Sequence, residues 1–386
     1  MTAHLEPPVA LRVEEPLIAA DALDRALPRD AASSSSAKPS AWQLTASDLA
    51  ELGAPIDARV LCTKLIRSAL GRGDGEPLGR VARSFVDAHL DTAIPRIDRE
   101  ERSTDGATKL VIALADGARI EAVHMPRAVK NPRVTVCLSS QVGCAMGCTF
   151  CRTAEMGLVR NLTAGEITGQ LIAVLRAYGP TDGSRVNVVF MGMGEPLHNL
   201  DAVLGAVRAM CEPAGLGLSP GRITVSTSGL VSGIDRLSRA EVRPALALSV
   251  NATTDAARLR TMPITKAHGL GELRAALLRM PLRSHEKITI EYVLLQGEND
   301  TIDDARRLGA FVSGFRHHVN VIAYNAYDGA RFSAPDPLTV SRFVEAAREG
   351  GCLVTVRRSR GRDVSAACGQ LVQPGRPGRG RSPTAP

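Results

Sequence analysis

Residues 133–151 read RVTVCLSSQVGCAMGCTFC. The stretch opens on a β-branched run, RVTVCL (133–138), and passes into a loop carrying Cys144, Cys148 and Cys151 in the spacing C-x3-C-x2-C. A fourth thiol, Cys137, stands seven residues before the first of these. Three thiols in one loop call for a metal or redox centre, and the fold is read outward from the strand that delivers them.

The same rhythm repeats downstream. Short Val/Ile/Leu runs recur at VNVVFM (186–191), RITVST (222–227), PALALSV (244–250), KITIEYVLL (287–295), HVNVIAY (318–324) and CLVTVRR (352–358), with helical segments between them. Thr163-x-x-Glu166 fits a capping box, in which each side chain satisfies an orphan backbone amide, and Asp300 is an expected N-cap for a helix through Phe311. Strands alternating with helices predict an α/β fold with a mostly parallel sheet. Six or seven units are too few to close an eight-stranded barrel and suit an open, partial β/α barrel. Polar residues stand at the C-terminal end of nearly every strand: Cys144, Cys148 and Cys151, then Gly194 and Glu195, Ser226, Ser249 with Asn251, and Asn325. Parallel barrels build their active sites at that rim.

Ahead of this core, residues 1–42 hold Pro-Pro and a Ser33–Ser36 run and read as a disordered extension, at most briefly helical near Leu17–Ala26. Apolar spacing from Leu49 to Leu90 predicts a helical accessory region over 43–100. KLVIALADG and ARIEAVHMP flank Asp116-Gly117 and predict a β-hairpin at 105–128. The core is expected over 130–371 and a basic tail over 372–386.

The 386 residues are 44% hydrophobic but only 3% aromatic, so the core is aliphatic. No apolar run reaches the ~18 residues of a membrane span, and the N-terminus lacks the pattern of a secretory signal. A cytoplasmic protein is expected, acting as a monomer. From Thr355 onward there are seven Arg and one Asp within a net charge of +7, which suits a polyanion such as RNA. A solvated tail would look the same by charge alone.

Zinc wants four ligands in spaced pairs, and no fourth Cys or His is near in that spacing. Three thiolates suit a [4Fe–4S] cluster with one iron left open for a small molecule. Gly143 and Gly147 let the loop wrap it. Cys62, Cys211 and Cys352 sit in apolar contexts and read as structural.

C-x3-C-x2-C with Phe150 before its last cysteine resembles the hallmark of radical S-adenosylmethionine (SAM) enzymes. SSQVGC, RNLTAGEI, VVFMGMGEPLHN, ITVSTSG, IEYVLL and SRGRDVSAACGQL together resemble one subgroup, the 23S rRNA adenine-C2 methyltransferase family and its C8-methylating relatives. The resemblance runs from about Asp105 to Leu371. It implies a [4Fe–4S] cluster on Cys144, Cys148 and Cys151, SAM as cofactor, and RNA as substrate, rRNA first and tRNA second. It also implies an electron donor such as flavodoxin.

The resemblance further assigns roles. Cys368 matches the residue that takes a methyl from one SAM. A second SAM is cleaved at the cluster, its radical removes hydrogen from the methylated sulfur's carbon, and the methylene radical adds to the adenine ring. Cys137 matches the second catalytic cysteine, whose thiolate attacks Cys368 sulfur and releases the base through a transient disulfide. Read from its position alone, Cys137 is rather a small buried core residue. Glu121 matches the carboxylate proton acceptor, with a loop to Cys137 a few residues longer than usual. Gly194 and Glu195 match the SAM-binding turn, and Ser226, Ser249, Val250, Asn251 and Asn325 its remaining contacts.

Asn251 replaces a His typical of the family, and VIAYNAYDG replaces a more proline-rich loop around Asn325. These departures bear on which RNA and which ring carbon are used. The alternatives are a diverged paralogue acting at C8 or on another RNA, a radical enzyme acting on a peptide or small molecule, and a non-catalytic Fe–S or RNA-binding protein. The pair Cys137 and Cys368 argues against the last, since binding alone needs neither.

Overall fold

A computed structural model describes residues 38–72, 77–127, 132–179 and 185–372. The expected disorder of the N-terminal extension and the basic tail lies outside them, apart from the edges. Residues 38–42, expected in the extension, belong instead to the fold. Trp42 is buried and its indole N–H donates to Ala93 O at 2.7 Å, so a large apolar ring fixes the chain there.

Three helices follow: α1 (Ala46–Glu51), α2 (Ala58–Ala69) and α3 (Arg80–His89). Thr45 and Asp48 form a capping box on α1, and Asp57 caps α2 by accepting from the Arg59 and Val60 amides. Their apolar faces meet in one cluster of Trp42, Leu49, Leu61, Leu65, Val86 and Leu90. Each buried leucine contributes about 1.5–3 kcal/mol. Ile172, far along the chain, belongs to the same cluster, so these helices rest on the α/β body.

The sheet has ten strands: β1 (Arg96–Arg102), β2 (Thr108–Ala113), β3 (Arg119–Arg127), β4 (Arg133–Cys137) and then, past the hairpin β5 (Gln141–Gly143) and β6 (Leu158–Asn161), β7 (Val186–Phe190), β8 (Ile223–Thr227), β9 (Ala245–Ser249), β10 (Ile288–Leu294), β11 (His317–Ala323) and β12 (Val354–Val356). The order is β1-β2-β3-β4-β7-β8-β9-β10-β11-β12. Pairing is antiparallel from β1 to β4 and parallel from β4 to β12. All seven predicted core strands are present, and the partial barrel is borne out. It stays open because the outer edge of β4 is taken by β3, with Val123 opposite Cys137.

The sheet is crossed by α4 (Arg152–Glu155), α5 (Ala164–Tyr178), α6 (Leu200–Cys211), α7 (Val231–Ser238), α8 (Asp255–Thr261), α9 (Leu270–Arg279), α10 (Ile302–Val312) and α11 (Pro337–Glu349). The Thr163–Glu166 capping box opens α5 as expected. The cap of α10 is Thr301 with Asp304, one residue past the expected Asp300. Asp300 instead accepts from the Gly297 amide in the preceding turn.

One element departs from the sequence reading. Residues 96–102, placed at the end of the helical region, form β1. RIDREER has no apolar face to announce a strand. Charges hold it in place: Lys109 Nζ of β2 lies 3.0 Å from Glu101, and Arg119 Nε of β3, reaching past β2, 2.9 Å from Asp98.

Candidate active site

The cysteine loop grows out of the β5–β6 hairpin. Cys144 N donates to Gly157 O at 3.0 Å. Gly143 has φ +78°, and a Cβ there would stand 1.9 Å from Gly157 O, so no other residue closes this loop. Farther along, Thr149 N donates to Thr261 O of α8 at 2.9 Å, and Cys151 N to Cys148 O at 3.1 Å.

Burial, more than any other cause, raises all three thiols, with mutual repulsion added; Cys144 is pushed up to about 12. Such thiols stay protonated unless a metal takes the proton's place. Among the described residues no three His, Cys, Asp or Glu side chains converge on one metal ion. Three thiols that repel one another within one loop are the donor set of a [4Fe–4S] cluster with one open iron.

The turn after β7 lies against this loop. Ser140 N and Gln141 N both donate to Met193 O, at 2.8 and 3.2 Å, and Glu195 N donates to Gln141 Oε1 at 2.8 Å. Gly194 has φ +101°, and a Cβ on it would lie 2.6 Å from Gln141 Cβ. Glu195 is buried. Its Oε2 accepts from Ser228 N at 2.7 Å and Ser228 Oγ at 2.8 Å, and its Oε1 from Leu197 N at 3.1 Å. Burial raises its pKa, and the Ser228 donors oppose that rise. A carboxylate held this way keeps lone pairs free for a ligand ammonium.

The remaining predicted contacts fall on neighbouring strands. Ser226 lies in β8, Ser249 ends β9, and Val250 N donates to Glu291 O at 3.1 Å. Asn251 adopts a left-handed backbone, φ 53°. Its side chain is engaged within the protein: Oδ1 accepts from Val293 N at 2.9 Å, and Nδ2 lies 3.5 Å from Met262 Sδ. Asn325 is buried, and its carbonyl accepts from Gln370 Nε2 at 3.4 Å.

Cys137, at the end of β4, and Cys368 line one cavity of about 960 Å³, together with Thr135, Asn187, Met191 and Arg357. Burial, then the nearby Cys368, pushes the Cys137 thiol up to about 12; the Met191 amide and Arg357 oppose this. Arg357 also lies 3.6 Å from Glu291 and 3.6 Å from Met191 Sδ. The segment bearing Cys368 is tied down on both sides. Arg152 N donates to Gly369 O at 2.8 Å and Thr153 Oγ1 to Leu371 O at 2.6 Å. Both donors directly follow Cys151, so the Cys368 segment sits on the cluster loop. Upstream, Asp363 accepts from Ser103 Oγ at 2.6 Å and from Thr104 N at 3.0 Å.

Glu121 lies on β3, on the same face as Val123, the partner of Cys137. It is buried; Oε2 accepts from Val372 N at 2.9 Å, and Lys109 Nζ lies 3.8 Å from Oε1. Burial drives its pKa up to about 7 against the pull of Lys109 and the Val372 amide.

The comparisons with known proteins agree with this geometry. Residues 138–308 match the family model described as "Radical SAM superfamily". The chain is 44% identical over 296 residues to the "Dual-specificity RNA methyltransferase RlmN" of Syntrophotalea carbinolica, covering 76% of this chain and 77% of that protein. It is 48% identical over 284 residues to the Geobacter sulfurreducens protein of the same name, covering 74% and 76%. The crystal structure of a radical SAM methyltransferase from Sphaerobacter thermophilus superposes with a TM-score of 0.78 at 38% identity, over 86% of this chain and 98% of that one. The chain belongs to the RlmN family of radical SAM methyltransferases.

RlmN-family membership brings a [4Fe–4S] cluster and SAM as cofactors, and the donor set above accommodates them. The superfamily match at 138–308 stops before β11, β12 and the segment that carries Cys368. Several residues that build this RlmN-family site escaped the sequence reading: Gln141, Lys109, Ser228, Arg258 and Arg357. Ser228 was within reach, two residues past Ser226 in ITVSTSG. Lys109 was within reach too, across the expected hairpin from Glu121; Arg357 could not be found, because its partner Glu291 lies far away in sequence.

Proposed function

We propose that this protein methylates a ring carbon of adenosine in RNA, C2 first, through a methyl group carried on Cys368. The observation that carries the reading is that Cys137 and Cys368 line one cavity while the Cys368 segment is hydrogen-bonded to the residues following Cys151. The printed name of the relatives, dual-specificity RNA methyltransferase, supports RNA as the substrate class and more than one RNA target.

Cys144, Cys148 and Cys151 would hold the cluster. Glu195, on the Gly194 turn, would accept the SAM ammonium hydrogens, with Ser226, Ser249, Val250, Asn251 and Asn325 around it. When bound, the cluster and SAM supply a carbon radical that removes hydrogen. The protein's own residues do the rest. The Cys368 thiolate takes a methyl from SAM, and S-adenosylhomocysteine leaves. After hydrogen removal the methylene carbon bonds to the adenine ring. The adduct gives its ring proton to Glu121, and the iron–sulfur centre, when bound, would accept the electron that the radical adduct must lose. The Cys137 thiolate then attacks Cys368 Sγ. The sulfur–carbon bond breaks with its electron pair on carbon, which takes a proton to complete the methyl group. A disulfide remains for an external dithiol to reduce.

Residues 43–100 and the arginines at 357–362 would face RNA, and a flavodoxin-class protein would supply the electron. We place the protein in the cytoplasm as a monomer; no described helix is long and apolar enough to cross a membrane. Mass spectrometry of nucleosides from RNA treated with the reconstituted protein tests the reading. 2-Methyladenosine is expected, 8-methyladenosine would move the attack to C8, and unmodified RNA under conditions that consume SAM would overturn it.

A further inference from the structure

Arg258 is fully buried, although a charged side chain is rarely placed so. It lies in α8, whose C-terminal Thr261 receives the Thr149 amide from the cysteine loop. Its guanidinium spends its donors on neutral oxygens. Nε donates to Val250 O at 3.1 Å, Nη1 to Thr265 Oγ1 at 2.9 Å, and Nη2 to Ser249 O at 3.3 Å and to Ser228 O. No carboxylate stands among these partners.

Two consequences follow from elementary electrostatics. First, a rigid fork gathers the ends of β8 and β9, which carry the SAM contacts, onto one plane. Ser228, held by its carbonyl, in turn holds Glu195 through its N–H and hydroxyl. Second, a buried cation surrounded by neutral oxygens costs several kcal/mol unless a negative charge lies nearby. Burial depresses the Arg258 pKa to about 10, with Cys148, Asp255 and Glu195 opposing the fall, so it stays charged at neutral pH. The anionic groups in that neighbourhood are Asp255, the buried Glu195 and, once a cluster is bound, the thiolates of the cysteine loop.

We propose that Arg258 is a positioning residue of the SAM site whose fixed positive charge also offsets the negative cluster. It acts through Ser228, Ser249 and Val250 on the bound cofactor, and by its charge on the reduction potential of the iron–sulfur centre. The inference rests on the assignment of Cys144, Cys148 and Cys151 as cluster ligands.

The test uses the reconstituted full-length protein and its Arg258→Met and Arg258→Lys variants. Iron per chain is measured first, then SAM affinity by calorimetry and cluster potential by EPR-monitored titration. Arg258→Met is expected to load iron, to bind SAM about tenfold more weakly, the worth of one charge-assisted hydrogen bond, and to shift to a lower potential. Arg258→Lys is expected to keep the potential while losing SAM affinity, since an ammonium cannot span the same acceptors. An Arg258→Met protein with wild-type affinity and potential overturns the inference. If that variant fails to fold, Arg258→Lys decides, and unchanged SAM affinity overturns it. Wild-type protein that loads no iron would sink the ligand assignment itself, a separate failure visible in the first measurement.

Discussion

The main-chain N–H of Val372 donates to Glu121 Oε2 at 2.9 Å, four residues beyond Cys368. The carboxylate proposed for proton removal is thus also an anchor for the segment that carries Cys368, the cysteine proposed to bear the methyl group. A glutamine at 121 keeps an oxygen for that amide but cannot take a proton. Glu121→Gln should therefore cut product formation about 10²–10⁴-fold with little change in Tm. A comparable loss of Tm would mean that the anchor was the main role.

The elevated Glu121 pKa has a signed consequence for activity and for stability. The base form is populated above about 7, so turnover should rise as pH rises through that value. Stability runs the other way. A carboxyl whose pKa is about 7 when folded and near 4.5 when unfolded favours the folded state fully below 4.5, and that contribution is lost as pH rises through 7. Denaturant titrations should show stability declining over this window in the wild type and a flatter profile in Glu121→Gln.

Cys137→Ala removes the thiolate proposed to break the protein–RNA bond. The variant should accumulate RNA linked to Cys368, visible as a retarded band on a denaturing gel and abolished by a second change, Cys368→Ala. Recovery of only free methylated RNA from the single variant would contradict the release step.

Cys148→Ser replaces one of the three thiolates. Iron and sulfide content after anaerobic reconstitution should fall well below the wild-type ratio, along with the visible absorbance. Cys352→Ser, at a buried site apart from the loop, should leave the ratio unchanged.

Gly194→Ala drives a methyl group to within 2.6 Å of Gln141 Cβ at a backbone angle that alanine rarely adopts. A destabilisation of about 1–3 kcal/mol is expected from strain and overpacking. The SAM Kd should rise too, because the turn is held to Gln141 on the same side. Wild-type Tm and Kd together would show that the turn relaxes freely.

The core strands were legible because each is a β-branched run bounded by helix signals, from RVTVCL to CLVTVRR. The cysteine loop was legible because its three thiols sit within eight residues. The contacts that assemble the site were not. Arg357 meets Glu291 only through the packing of the sheet, and Asp363 reaches Ser103 across 260 positions. Arg258 in ARLRTM looks like one more basic residue on an exposed helix face, and only the packing of α8 reveals its burial. β1 was missed because its stabilisation lies in backbone pairing and cross-strand charge rather than in an apolar stripe. The hold of the Asn251 side chain on Val293 N and Met262 Sδ, which fixes its left-handed turn beside the expected cofactor site, was not legible either.

The Cys368 segment is pinned by Asp363 on one side and by Gly369, Leu371 and Val372 on the other, so the sulfur sits on an arch of only a few residues. Such a span works as a molecular ruler. It confines the two thiols to a small shared volume and so sets their effective molarity toward each other. Inserting glycines on either side of Ala366 would lengthen the leash. The Cys137–Cys368 couple, titrated against a glutathione buffer, should then become easier to reduce in step with the added length.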